Sequence, residues 1–395
     1  MGNSRGLGTW EVEKKTSQVA WQRTRRTGLA LAIAGLALVL RLGAAASLPI
    51  DYDEDDYLRA AQLYARIIRD RAWERLPQVV FNKEHPPLAK LAFGWAIAGL
   101  PPAPEIPARA LDDPAATSLP QPHLWRARVV SAVLGALTVG LLAWLNPLAG
   151  LFLAVHTLTI KYTSLAMLEA LPALTSALAV LAYARAMTAQ ARRTRHRWLV
   201  LSALALGLTA ASKYVYTLVG IAIGLHWLLV TWGVADRHRE AGRRPGLGAM
   251  LGWGGLALSA FCGADFYLWP APVSRLQASL GHHLGVSQSF LVEVMDLPAY
   301  QPLVWLFSWA PGHRHVIPVG PDPLIAVLAL VGLPALWRKR PLYVIWIGVA
   351  LGFLFLWPTK WPQYVLTLTV PWAMAAAMGV EAVGPWMTSF RRRGR

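Results

Sequence analysis

The chain has 395 residues, 55% of them hydrophobic and only 15% charged, with a mean hydropathy of +0.39. A soluble domain carries about 25% charged residues, so most of this chain belongs in lipid and an ordinary soluble domain is excluded. The formal net charge of +17 invites a nucleic-acid partner, but the basic residues fall in clusters between apolar segments and leave nucleic acid without a footprint. The one cysteine, Cys262, excludes an internal disulfide and any cysteine-based metal cluster. It reads as a small buried residue.

Apolar windows of about 17–25 residues can cross a bilayer. The first covers 28–49. Its basic leader, apolar core and AAAS stretch at 44–47 have the look of a secretory signal, but Arg41 interrupts the approach to that site. It is therefore read as a retained first span. Further windows follow at 126–145, 148–167, 169–187, 198–216, 217–235, 249–268, 322–337, 342–358 and 364–384. The expected fold is all-α: a single polytopic membrane domain over 1–395 with about ten transmembrane helices. Nineteen tryptophans suit the aromatic belts at the two interfaces.

Lys and Arg concentrate in cytoplasmic loops. Here they cluster before Gly28, at 184–197, at 236–244, at 337–340 and in the tail 391–395. With ten spans and a cytoplasmic start, every cluster falls inside, and both termini are cytoplasmic. The net charge then mainly records topology. The same threading leaves two long loops outside: 50–125, which holds the acidic block, and 269–321, rich in aromatic residues, proline and histidine.

The first loop opens on DYDEDDY (51–57), five carboxylates in seven positions. A run of acids is commonly a solvated loop. Alternatively, crowded carboxylates raise one another's pKa and make one of them a base near neutral pH. Asp51, Asp55 and Asp56 are then spectators, or part of a Mg²⁺ or Ca²⁺ site. Next, YLRAAQLYARIIRDRAW (57–73) interleaves apolar residues with arginines, the pattern of an amphipathic helix lying along the interface. In FNKEHPPLAKLAFGWAIAGLPP (81–102) the Pro86-Pro87 pair forces an extended lead-in to an apolar stretch too short to span. It reads as a re-entrant or interfacial helix.

The remaining cations fall at one depth. Arg41, Arg126, Arg128, Lys161, Lys213 and Lys360 sit near the outer ends of helices, and Glu169 adds an acid in the turn between the third and fourth spans. Snorkelling to the interface accounts for any one of them. Together they outline an outer-leaflet cavity suited to a lipid phosphate, with cations on its oxygens and a carboxylate facing the neighbouring carbon. The pairs His282-His283 and His313-x-His315 are a weak zinc signal and read as interfacial or substrate-contacting. His156 and His226, inside apolar helices, read as hydrogen-bonded core residues.

Several stretches resemble a family. DYDEDDYLRAA resembles the Asp-Glu-x-x-Tyr signature of the GT-C glycosyltransferases, and EHPPLAKL is similar to the His-Pro-Pro-Leu-x-Lys motif of protein O-mannosyltransferases. RVVSAVLGALTVGLL resembles their second helix. LAMLEALPALTSALAVLAYA resembles their second-loop motif, with Glu169 where aspartate is usual. LGLTAASKYVYTLVG is similar to their Ser-Lys segment, with Tyr216 where glycine is usual. KWPQYVLTLTVPWAMAAAMG resembles the late helix of bacterial members. The likeness covers roughly 28–235 in order, and extends to bacterial aminoarabinose transferase-like enzymes.

The resemblance implies a polyprenyl-phosphate-sugar glycosyltransferase of a bacterial inner membrane. Such an enzyme passes a sugar, with inversion, to a protein, lipid or glycan acceptor on the extracytoplasmic face. It implies Asp53 as general base or acceptor-orienting acid, with Glu54 its partner and Glu169 a further catalytic acid. His85, Arg128 and Lys213 would attend the donor phosphate, and Tyr57, Lys90, Lys360 and Tyr364 would contact substrate. No cofactor is required and no metal ligand is assigned, although a divalent ion at the acidic block stays open. The chain lacks the large lumenal domain of the eukaryotic mannosyltransferases, which leaves a protein acceptor in question. Two other classes compete. A transporter or flippase of lipid-linked sugars would place charge at mid-bilayer and show repeated halves, and neither is seen; a non-catalytic membrane subunit would suit the departures at Glu169 and Tyr216.

Overall fold

Most of the chain offers no polar face on which a helix could meet water, so its helices bury against lipid or against one another. The computed structural model describes residues 6–107, 119–233, 246–311, 314 and 317–393, with side chains from 24 to 383. In chain order the helices are α1 (Gly6–Ser47), α2 (Glu54–Asp70), α3 (Leu88–Ala98), α4 (Gln121–Leu145), α5 (Pro147–Val155), α6 (Thr157–Tyr162), α7 (Ala170–Thr188) and α8 (Arg192–Ala210). There follow α9 (Leu218–Thr231), α10 (Leu247–Ala264), α11 (Pro272–Ser287), α12 (Phe290–Met295), α13 (Gln301–Phe307), α14 (Asp322–Lys339), α15 (Pro341–Leu356) and α16 (Leu366–Arg393). No strand occurs among the described residues. The chain is an all-α integral membrane protein.

Six segments are long and apolar enough to cross a bilayer: Thr24–Ser47, Gln121–Leu145, Ala170–Thr188, Tyr214–Thr231, Leu247–Ala264 and Pro362–Val383. The other four expected windows fall short for separate reasons. α8 opens on a basic run, α14 carries Asp322, Arg338 and Lys339, and α15 has only 16 residues. The window 148–167 is not one helix. It breaks at His156, whose backbone is extended and whose Nδ1 accepts from Thr159 N at 3.3 Å. Asp322, at the head of α14, takes the Thr157 amide and hydroxyl at 2.9 Å each. The Thr157 amide freed by the break is thus satisfied from another helix and the Thr159 amide by His156 itself, which helps a break persist inside a membrane domain.

The tightest helix pair is α14 against α16. A Cβ built on Gly332 would lie 1.9 Å from Ala375 O, and one on Gly379 would lie 2.0 Å from Leu328 O. Backbones approach this closely only where small residues line the seam, and the AMAAAMG run of α16 supplies them. Asn146 separates α4 from α5 and caps the latter, accepting from Leu148 N at 3.0 Å and Ala149 N at 3.1 Å.

The two ends of the bundle differ in kind. At one, Arg26 donates to Leu145 O, and Lys339 pairs with Glu381 at 2.8 Å. At the other, where α1 ends and α4 begins, gather α2, α3 and the segments on either side of Glu169 and Lys213. α2 is more enclosed than an interfacial helix: Tyr57, Leu58, Ala61, Tyr64 and Ala65 are all buried. α3 has 11 residues, lies against α2 and does not cross. Two details depart from expectation. Cys262 is exposed rather than buried, because α10 turns most of its surface outward. Lys213 is not within a helix but in the extended link after α8. His313, His315 and the 236–244 cluster lie outside the described residues.

Candidate active site

Two acids that adjoin in sequence meet different surroundings. Glu54, in the first turn of α2, is fully buried and faces Arg128, two turns into α4. Its Oε1 accepts from Arg128 Nε at 2.8 Å and from Ala166 N at 2.6 Å; its Oε2 accepts from Arg128 Nη2 at 2.5 Å and from Asp51 N at 3.0 Å. The guanidinium also donates to the carbonyls of Ala45, Leu48 and Pro49 at 2.8, 2.9 and 3.1 Å. A guanidinium has five N–H donors, and all five are used. Arg128 therefore has no donor left for a phosphate, and Glu54 has no lone pair turned to a substrate. Together they tie the end of α1 to α2 and α4, a structural role at the two positions expected to supply a phosphate ligand and a catalytic partner acid.

Asp53 occupies the N-cap position of α2 without a side-chain capping hydrogen bond and is half-buried. The contact to its carboxylate within hydrogen-bond range is a long one, Tyr57 Oη at 3.5 Å. Burial pushes its pKa up to about 6, opposed by the Lys213 ammonium and assisted by the charges of Glu169, Asp51 and Asp56. Those same groups surround it. Lys213, brought over by the extended link after α8, donates to Glu169 Oε1 at the head of α7. Glu169 Oε2 is buried with no partner among the described residues. The ammonium also lies 5.8 Å from the Tyr364 ring. Asp51 pairs with Lys161 at 2.8 Å, and that ammonium lies 5.0 Å from the Tyr162 ring.

His85 closes the pocket from the loop before α3. Its ring is 5.7 Å from Tyr57 and 5.1 Å from His283. Burial first, then the Lys213 charge, hold its pKa well below the usual imidazole range, so it acts as a neutral hydrogen-bonding group. The structure thus brings Asp53, Tyr57, His85, Glu169, Lys213 and Tyr364 together.

Two expected substrate contacts stand apart. Lys90 spends its three donors on Asn82 O at 2.5 Å, Asn82 Oδ1 at 3.1 Å and His85 O at 2.8 Å. Lys360 donates to the carbonyls of Leu354, Phe355 and Trp357, capping α15 where four carbonyls lack helical partners. An ammonium with three occupied donors offers a ligand only its residual field.

Sequence reasoning missed Asp265, which follows α10 and is fully buried. Tyr214 Oη approaches its Oδ2 at 3.4 Å, and its Oδ1 has no partner among the described residues. Burial pushes its pKa up to about 6, with Lys90 the leading opposing charge. The signal available was its position near the outer end of an apolar window, the depth shared by Glu169. Among the described residues, no three His, Cys, Asp or Glu side chains converge as a metal site would require.

Residues 72–245 match the family model of dolichyl-phosphate-mannose-protein mannosyltransferase. None of the curated proteins matches the chain in sequence. Among solved structures, ArnT from Cupriavidus metallidurans in the apo state superposes with a TM-score of 0.62 at 17% identity, over 93% of this chain and 62% of that one. The same protein bound to undecaprenyl phosphate gives 0.59 at 16% identity, over 90% and 60%. The S. cerevisiae Pmt1-Pmt2 complex bound to its sugar donor gives 0.44 at 21%, over 67% and 36%. This chain thus spans about three-fifths of the ArnT chain. At such identities the likeness is one of fold, and the fold is the GT-C membrane fold.

Proposed function

We propose that this protein is a glycosyltransferase that takes a sugar from a polyprenyl-phosphate carrier and passes it, with inversion, to a hydroxyl-bearing acceptor at the extracytoplasmic face. The observation that carries the reading is Asp53: a half-buried carboxylate with no close partner, pushed up to about 6 and set beside a buried ammonium. A base works best with a pKa near the operating pH. The fold shared with a protein solved in complex with undecaprenyl phosphate supplies the class of donor.

In this reading Asp53 accepts the proton of the acceptor hydroxyl as its oxygen attacks the anomeric carbon. The bond from that carbon to the phosphate oxygen breaks on the opposite face, and the electron pair leaves with the lipid phosphate. Charge growing on that phosphate is met by the Lys213 ammonium and by the neutral His85 imidazole, fixed before reaction and shielded from water. Glu169 accepts from Lys213 in the free protein, and the donor phosphate competes with it for that ammonium. Tyr57 and Tyr364 wall the space between. Arg128 acts one step removed, by holding the α2 turn that presents Asp53.

The test is to incubate the purified protein with a panel of polyprenyl-phosphate sugars and candidate acceptors, and to follow donor consumption by mass spectrometry. Wild type consumes one donor and Asp53→Asn does not. Folded wild-type protein that consumes none would remove the reading. Protease accessibility of the 269–321 segment in sealed vesicles tests the side of the membrane.

A further inference from the structure

The loop 82–85, which carries His85, is held in an uncommon way. Asn82 has φ 52°, the left-handed region that asparagine tolerates at a cost. Four consecutive carbonyls accept hydrogen bonds from side chains, and of these Asn82 O also takes a long one from the His85 amide at 3.4 Å. Asn82 O and His85 O are taken by Lys90, from inside. Lys83 O accepts from Ser279 Oγ at 2.8 Å, and Glu84 O accepts from His283 at 2.9 Å, both from α11. A carbonyl only accepts, so His283 carries its proton on Nε2.

The donors on α11 share one face. Arg275, Ser279 and His283 are spaced by four, and Arg275 adds bonds to Pro77 O at 2.7 Å and Tyr267 O at 2.6 Å. The other face carries Val273, Leu280 and Leu284, all exposed. A helix solvated in the usual way would turn its polar face outward. Here the polar face is turned in and its donors are engaged by first-loop carbonyls, an arrangement that surface solubility does not call for. The His283 ring also lies 5.1 Å from that of His85.

We propose that Ser279 and His283 are positioning residues: α11 clamps the 82–85 loop and thereby fixes His85 against Tyr57 and the phosphate pocket. Its role in donor binding rests on the function proposed above; the clamp itself does not. The loop, once released, loses two of four supports and its left-handed residue relaxes. Burial, foremost among the causes, lowers the pKa of His283, which keeps the ring neutral and its Nε2 proton directed at the carbonyl.

Two measurements on the full chain in lipid nanodiscs test this. The first is deuterium exchange of the 79–88 peptide. His283→Phe keeps a ring but loses the donor and should raise exchange there several-fold, while His283→Gln, which keeps an N–H, stays near wild type. Ser279→Ala should give a smaller rise. Exchange unchanged in His283→Phe and Ser279→Ala, or raised equally throughout the chain, overturns the clamp. The second is binding of undecaprenyl phosphate. His283→Phe should weaken it by roughly five- to tenfold, the worth of a lost hydrogen bond, and should weaken it no further in a His85→Ala background. Effects that simply add would separate His283 from His85 and overturn the positioning role. Wild type that fails to bind the lipid would sink the proposed function, and the exchange result would still decide the clamp.

Discussion

Asp53 and Glu54 are neighbours in sequence with the same chemistry, and they have opposite situations. Glu54 has both oxygens filled, four donors around it and a guanidinium as counter-charge. Asp53 has one long contact and a pKa near 6. A second contrast runs in parallel: Arg128 has every donor engaged, whereas the Lys213–Glu169 pair leaves Glu169 Oε2 unpartnered. Saturation marks the part of the site that builds the fold. Buried polar groups are normally satisfied, so the unpartnered Glu169 oxygen, beside Lys213 and Asp53, is where a ligand is expected to complete the set. Charge alone, which is all the sequence displays, does not separate the two.

The contrast breaks most visibly in paired substitutions. Asp53→Asn should lower turnover by roughly 10²–10⁴-fold, the usual worth of a positioned base, as read in the donor-consumption assay. It should also raise the melting temperature at pH 7. The sign follows from linkage: a carboxyl pKa of about 6 in the fold against about 3.9 unfolded contributes stability that is full below the lower value. That contribution is lost as pH rises through the upper one. Asparagine removes the cost of a charged, half-buried group. Arg128→Ala should do the reverse, leaving Glu54 buried and unpaired at a cost of about 3–5 kcal/mol, seen as a large loss in melting temperature. Equal stability effects at the two positions would erase the distinction.

A smaller effect is expected at Glu169. If the donor phosphate and Glu169 compete for the Lys213 ammonium, Glu169→Gln should tighten undecaprenyl phosphate binding by roughly three- to tenfold, the range of a hydrogen bond to a charged group. Weaker binding in that variant would mean that Glu169 holds Lys213 in place more than it competes.

How far this division could be read in advance depended on the physical quantity involved. The all-α membrane fold was legible because apolar length is a direct property of sequence. The non-crossing α3 was legible from Pro86-Pro87 and its short apolar stretch. The break at His156 was not, because it depends on Asp322 arriving from α14, 165 positions away. The acids and cations of the pocket were visible by kind and depth. Their hydrogen-bond inventories were not, which is why Arg128, Lys90 and Lys360 read as phosphate or substrate ligands while their donors are spent on the protein. The polar face of α11 was present as Arg275, Ser279 and His283 at a spacing of four, but its target is a set of backbone carbonyls, which no side-chain pattern announces.

The finest test concerns the charges around Asp53. If it serves as base, turnover should rise with pH, reach half its maximum near 6 and level off above, since only the ionised carboxylate accepts a proton. Asp51 contributes negative charge that raises this pKa, and it pairs with Lys161. Asp51→Asn removes that charge and leaves the Lys161 ammonium uncompensated. Both changes favour the ionised form of Asp53, so the half-maximal point should move to lower pH while the plateau rate stays near wild type. The pair is partly exposed, and such pairs are worth only about 0–1 kcal/mol, so stability should barely change. A midpoint that moves to higher pH, or does not move at all, would mean that the acid limb belongs to another group. Asp265, also held near 6 by burial, would be the next to substitute.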